Sequence, residues 1–200
     1  NNLIQNNTIT TSGTSSNTGI YFLDECTGNV IRNNTINATG TTTANLGIRL
    51  VSTSNNNLVE YNTFYTKGLT TANNGIDLSS SSNNTFRFNN VYAGYGTGTT
   101  DNDAISLVGS SRNNTFTNNI LFANGTATSI TSDTIYLQSS STNNTFANNV
   151  IIKSVGNSIV LDMLSSDYPN GNTFQNNSLG NVSGSDLFFL DAGINNTFLI

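Results

Sequence analysis

Two hundred residues carry only 8% charged side chains, six Lys and Arg against eleven Asp and Glu, for a net charge of −5 and no histidine. Cations scattered singly form no basic stripe able to neutralise phosphates, which argues against nucleic acid as a partner. No apolar run approaches the roughly 20 residues of a membrane helix, and Asn1-Asn2-Leu3-Ile4 lacks the charged start and apolar core of a signal peptide, so the signal of an exported chain would lie outside these residues.

Taken in order, the chain repeats itself. A first unit runs from Ile4 through Ile9 to Gly19-Ile20-Tyr21-Phe22-Leu23, and a second from Ile31 through Ile36 to Gly47-Ile48-Arg49-Leu50. The third runs from Val59 through Phe64 to Gly75-Ile76-Asp77-Leu78, the fourth from Phe86 through Val91 to Ala104-Ile105-Ser106-Leu107. The fifth holds Phe116, Leu121 and Thr134-Ile135-Tyr136-Leu137, the sixth Phe146, Ile151 and Ser158-Ile159-Val160-Leu161, the seventh Phe174, Leu179 and Phe188-Phe189-Leu190. Phe198 opens an eighth, and the eight anchors are spaced by 27, 28, 27, 30, 30, 28 and 24 residues. A fixed period of this size marks a stacked repeat array. Polarity alone would suggest disorder, but disorder goes with high net charge and few branched or aromatic residues, whereas every unit here carries them.

Apolar residues two apart in short β-branched or aromatic runs read as strands with one buried face. Helix is excluded almost everywhere, because Asn, Ser, Thr and Gly are poor helix residues and nothing recurs at helical spacing. The fold expected is all-β: a single parallel β-helix over residues 1–200, about seven to eight coils of three short strands, a rod roughly 34 Å long at about 4.8 Å per coil. Two asparagine columns keep register with the anchors. One lies two residues before, at Asn2, Asn29, Asn57, Asn84, Asn114, Asn144, Asn172 and Asn196; the other three after, at Asn7, Asn34, Asn62, Asn89, Asn119, Asn149 and Asn177. A side-chain amide bonds the amides of neighbouring coils and tolerates left-handed corners, so both columns read as ladders at turns.

What does not repeat is the place to look for function. Gly-, Thr- and Ser-rich stretches of variable length read as loops, and the insert Asp162–Gly171, with Tyr168 and the chain's one proline, reads as a surface turn or a specialised contact. Cys26 is alone and reads as a small core residue. Asp103 and Asp133 share a column with Asn74, Asn157 and Asp186, with Asp101 close by. Carboxylates on adjacent coils would lie about 5 Å apart, suited to turn capping, to a shared Ca²⁺ ion or to a glycosidase pair. No catalytic constellation is recognisable, and the chain reads as a non-enzyme with no cofactor beyond that calcium. Sequons stand at Asn6, Asn33, Asn37, Asn83, Asn113, Asn124, Asn143, Asn176, Asn181 and Asn195. If the column of Asn83, Asn113, Asn143 and Asn195 points outward, glycans would run along the rod.

The repeated N-N-T-F-x-x-N-x-V with G-I-x-L upstream resembles the right-handed parallel β-helix repeats of the NosD-like and related carbohydrate-binding and sugar-hydrolase group, in particular the Asn- and Thr-rich repeats of archaeal surface and adhesin-like proteins. That resemblance implies right-handedness and an extracellular, non-enzymatic structural protein: a surface layer, adhesin or filament. Both ends fall at the same phase of the repeat, which suggests a segment of a longer chain or end-to-end self-association into a filament or lattice. The alternative is a carbohydrate-binding or carbohydrate-active module, favoured if Tyr92, Tyr95, Phe122, Tyr136 and Tyr168 are exposed. Tyr136 shares a column with Arg49, Asp77 and Ser106, so that column is expected to face solvent.

Overall fold

The computed structural model describes residues 1–94, 101–124, 132–153, 159–162, 168–181, 189–191 and 194–199. Each period folds into three short strands, in the fourth Thr85–Arg87, Asn90–Ala93 and Ile105–Val108. Equivalent strands of successive periods pair in parallel. The result is sheet A, eight anchor strands; sheet B, seven strands that follow them; and sheet C, the seven Gly-Ile-x-Leu strands. The chain is thus a parallel β-helix of three strands per coil, and no helix occurs among the described residues.

Register follows the anchors one for one: Phe86 pairs with Val59 on one side and Phe116 on the other. Phe86, Phe116, Phe146, Phe174 and Phe198 therefore stack at the strand spacing, with centroids 4.7–5.0 Å apart and planes within 8°. Each buried Phe side chain contributes about 1.5–3 kcal/mol, and each ring pair about 0.5–1.5 kcal/mol more. Sheet B adds Ile36, Phe64, Val91, Leu121 and Ile151 to this core, and sheet C adds Ile48, Ile76, Ile105, Ile135 and the leucines two residues on. Gly47 has a steric reason to be glycine. A Cβ there would stand 2.5 Å from the Gly75 carbonyl oxygen and 2.9 Å from Phe64 Cδ1.

Both asparagine ladders form. Asn57 donates its backbone N–H and its Nδ2 to Asn84 Oδ1 in the next coil, at 2.9 and 3.0 Å, and Nδ2 also reaches the Cys26 carbonyl behind it at 2.8 Å. Asn62 does the same to Asn89 Oδ1, with Nδ2 donating back to Ile31 O and Glu60 O. Burying so many amides is tolerable because these bonds satisfy them. The left-handed corner, however, belongs to the residue before each ladder asparagine and not to the ladder asparagine itself. Positive φ falls at Asn56, Asn83, Asn113, Asn143 and Asn195 before the first ladder, and at Asn6, Asn33, Tyr61, Phe88, Asn118, Asn148 and Asn176 before the second. In each Asn-Asn pair, then, the first residue turns the chain with its side chain outward and the second bonds inside.

Two further columns escaped the sequence reading. Asn17, Asn45, Asn73 and Asn102 form a third ladder at the start of sheet C, with Nδ2 to Oδ1 distances of 2.7, 2.7 and 2.8 Å. Three residues before the first ladder stand Cys26, Ser54, Ser81, Ser111 and Ser141. The hydroxyls of Ser54, Ser111 and Ser141 donate to the carbonyl three residues back at 2.7–2.8 Å, and Cys26 Sγ does the same to Leu23 O at 3.3 Å. Half-buried Cys26 thus holds a serine position at the edge of the core.

Candidate functional site

The acid column sits at the entry to sheet C, where the third ladder brings the chain inward. Asn74 Oδ1 accepts the backbone N–H of Asp103 at 3.0 Å, and Asp103 Oδ1 accepts that of Asp133 at 2.9 Å. Asn74 and Asp103 thus each cap the backbone of the coil that follows, and Asn74, Asp103 and Asp133 are all buried. Burial pushes the Asp103 carboxyl well above the usual carboxylate range; the nearby Asp133, Asp101 and Asp77 add to the rise, and the Asp133 N–H opposes it. Asp101 itself is exposed, with φ +49°. No group of three or more His, Cys, Asp or Glu side chains able to hold a metal ion occurs among the described residues. Asn157 and Asp186 lie outside them.

The column of Tyr21, Arg49, Asp77, Ser106 and Tyr136 corrects an expectation. Its side chains point away from the core, yet Asp77 and Ser106 are buried. Arg49 Nε lies 3.1 Å from Asp77 Oδ2 and closes over it. Burial raises the Asp77 carboxyl, while Arg49 and a hydrogen bond with Asn74 lower it. Of these five, Tyr21 alone is exposed. On sheet A, Glu60 is likewise buried beneath Arg32 and Arg87, the latter bonding it at 2.8 Å.

The unrepeated aromatics gather on the outside of coils three to five. Tyr61 and Phe88 occupy left-handed corners where the neighbouring coils have asparagine; both are exposed, and their rings stack at 5.0 Å and 6°. On the outer face of sheet B, Tyr65 stacks on Tyr92 at 5.0 Å and 9°, and Phe122 follows, tilted, at 6.4 Å. Ile120 and Val150, both exposed, extend this face. Of the aromatics named from sequence, Tyr92, Phe122 and Tyr136 are half-buried, Tyr168 is exposed, and Tyr95 lies outside the described residues. Tyr61, Tyr65 and Phe88 were not foreseen. The signal for the first and last was an aromatic in a column otherwise filled by asparagine.

The sequons divide by position. Asn83, Asn113, Asn143 and Asn195 are exposed corner residues along one edge of sheet A, and Asn6, Asn33 and Asn176 along the other. Asn37 is half-buried on the outer face of sheet B, and Asn124 half-buried just after it. Asn181 ends the strand Ser178–Asn181. Of the insert, residues 163–167 lie outside the described residues, and Pro169 occupies the serine column, its carbonyl accepting Asn196 Nδ2 at 2.9 Å.

A family model described as a right-handed beta helix region matches residues 1–134. No curated protein matches the chain.

Proposed function

The chain belongs to the right-handed β-helix family, and from that premise we propose that it is a non-enzymatic, extracellular structural segment of a surface layer, adhesin or filament, with N-linked glycans on some of its sequons. The allocation of its polar side chains supports this reading. The residues the repeat preserves are used in bonds between coils, while the outward corner positions present asparagines followed, two residues on, by an outward threonine, as in Asn113-Asn114-Thr115. The partners implied are further copies of the rod, and glycans. Negative-stain imaging of purified native material tests it: regular fibres or a lattice are expected, and dispersed short rods that cleave a polysaccharide would overturn it.

The exposed rings on coils three to five favour a second reading, a carbohydrate-binding module, since sugar rings pack on aromatic faces. Co-sedimentation with insoluble polysaccharides separates the two. Retention lost on replacing Tyr65 and Tyr92 would support the module.

A further inference from the structure

Two of the ten sequons stand one coil before an aromatic residue in the same outer column. Arg32 pairs with Glu60, so the corner residues that follow them, Asn33 and Tyr61, are neighbours along the rod. Asn37 pairs directly with Tyr65. The other corner sequons of the described coils have no such neighbour: register places Asn33 after Asn6, Asn113 after Asn83, Asn143 after Asn113 and Gly171 after Asn143. Both coincidences fall on the same pair of coils.

The rings are held for this contact. Phe88 covers one face of Tyr61, and Tyr92 one face of Tyr65, each at 5.0 Å with planes within 9°. A stack at the strand spacing sets the rings across the rod axis. The covering residue comes from coil four, so the other face of each ring turns toward coil two, where Asn33 and Asn37 stand. Both tyrosines are exposed, Tyr61 at 52%. Tyr61 holds φ +57°, in the left-handed region that every residue of this corner column shares, an unusual conformation for so bulky a side chain. A neighbouring coil reaches over a ring elsewhere on the rod too: the Arg49 guanidinium lies 5.9 Å from the centroid of Tyr21.

We infer that Asn33 and Asn37 carry N-linked glycans whose first sugar rings pack on the open faces of Tyr61 and Tyr65. The inference rests on the glycosylated, exported reading above and selects two sites within it. In the transfer, the asparagine Nδ2 bonds to the anomeric carbon of a sugar activated on a lipid phosphate carrier. The amide gives up one proton and the lipid phosphate leaves as its anion. In the folded rod the weakly positive C–H face of the pyranose then meets the negative face of the ring. The same contact shields apolar ring surface that the bare rod leaves in water.

The chain secreted from a eukaryotic host that adds N-linked glycans tests this. Peptide mass mapping is expected to find Asn33 and Asn37 occupied. T35A and T39A remove the two sequons without touching either asparagine, and each is expected to lower Tm by about 2–4 °C. In a Y61G/Y65T background that loss should fall by half or more; glycine keeps the left-handed corner and, unlike asparagine, makes no sequon with Asn62 and Thr63. If the double variant does not accumulate, Y61G alone, paired with T35A, gives the same comparison. Bare Asn33 and Asn37 beside occupied corner sequons would overturn the inference and leave the glycosylated reading standing. Occupied sites with equal Tm losses in both backgrounds would overturn the packing. If no sequon is occupied, the glycosylated reading falls and the inference with it.

Discussion

Asp103 accepts the backbone N–H of Asp133 through Oδ1 at 2.9 Å, one coil further along the rod. Its carboxyl is buried and held well above its ordinary value of 3.8, chiefly by desolvation. The native state therefore keeps a proton that the unfolded chain has lost, and stability falls as pH rises from 3.8 through the folded-state value. Asp77 contributes in the same direction. Asp103→Asn keeps the acceptor, as Asn74 does in the same column. It should flatten that fall and raise Tm at neutral pH, which a thermal scan across the window will read. A calcium ion held by Asp101, Asp103 and Asp133 would instead stabilise the ionised form, so the scan is run with and without the metal.

Asn89→Ala removes the Oδ1 that accepts both Asn62 N–H and Asn62 Nδ2, together with the donor to Val59 O. Leaving buried amides without partners costs about 1–3 kcal/mol. Urea denaturation should show a loss in that range.

Phe116 lies between Phe86 and Phe146, with centroids 4.8 Å away on each side. Phe116→Ala should cost about 3–5 kcal/mol, because the backbone on either side is fixed by ladders and cannot close the cavity. Phe198→Ala, at a half-buried position stacked on Phe174, should cost less. Equal losses by denaturant titration would contradict the stacked core.

Cys26→Ser should change stability by no more than about 0.5 kcal/mol, since a serine hydroxyl makes the equivalent bond at Ser54, Ser111 and Ser141. Cys26→Val, which leaves the Leu23 carbonyl without its donor, should cost about 1 kcal/mol. Calorimetry on the two variants separates a hydrogen-bonding role from simple packing.

Most of the rod was legible in the chain because a solenoid makes its contacts one period away. Once Ile4, Ile31, Val59 and Phe86 are aligned, the pairing of Val59 with Phe86 and the Asn57 to Asn84 ladder follow by counting. The third ladder was equally countable, as Asn45 and Asn73 stand two residues before Gly47 and Gly75, but an apolar anchor draws the eye to other columns. The candidate site was less legible. Alternation placed Asp77 outside the core correctly and its exposure wrongly, because burial there depends on how far the Arg49 side chain reaches across the sheet.

By itself the sequence determined the period, the three strands of each coil and the residues that face inward, since stacking imposes one choice of residue at one position over and over. Tertiary structure alone decided what the outside does. Only there do the left-handed corners turn one asparagine of each pair outward, Arg49 cover Asp77, and Phe88 and Tyr92 cover one face each of Tyr61 and Tyr65. The physical reason is that the inside of a coil is constrained by hydrogen bonds and packing that recur every turn. The outside is set by the reach and orientation of individual side chains, which no repeat dictates.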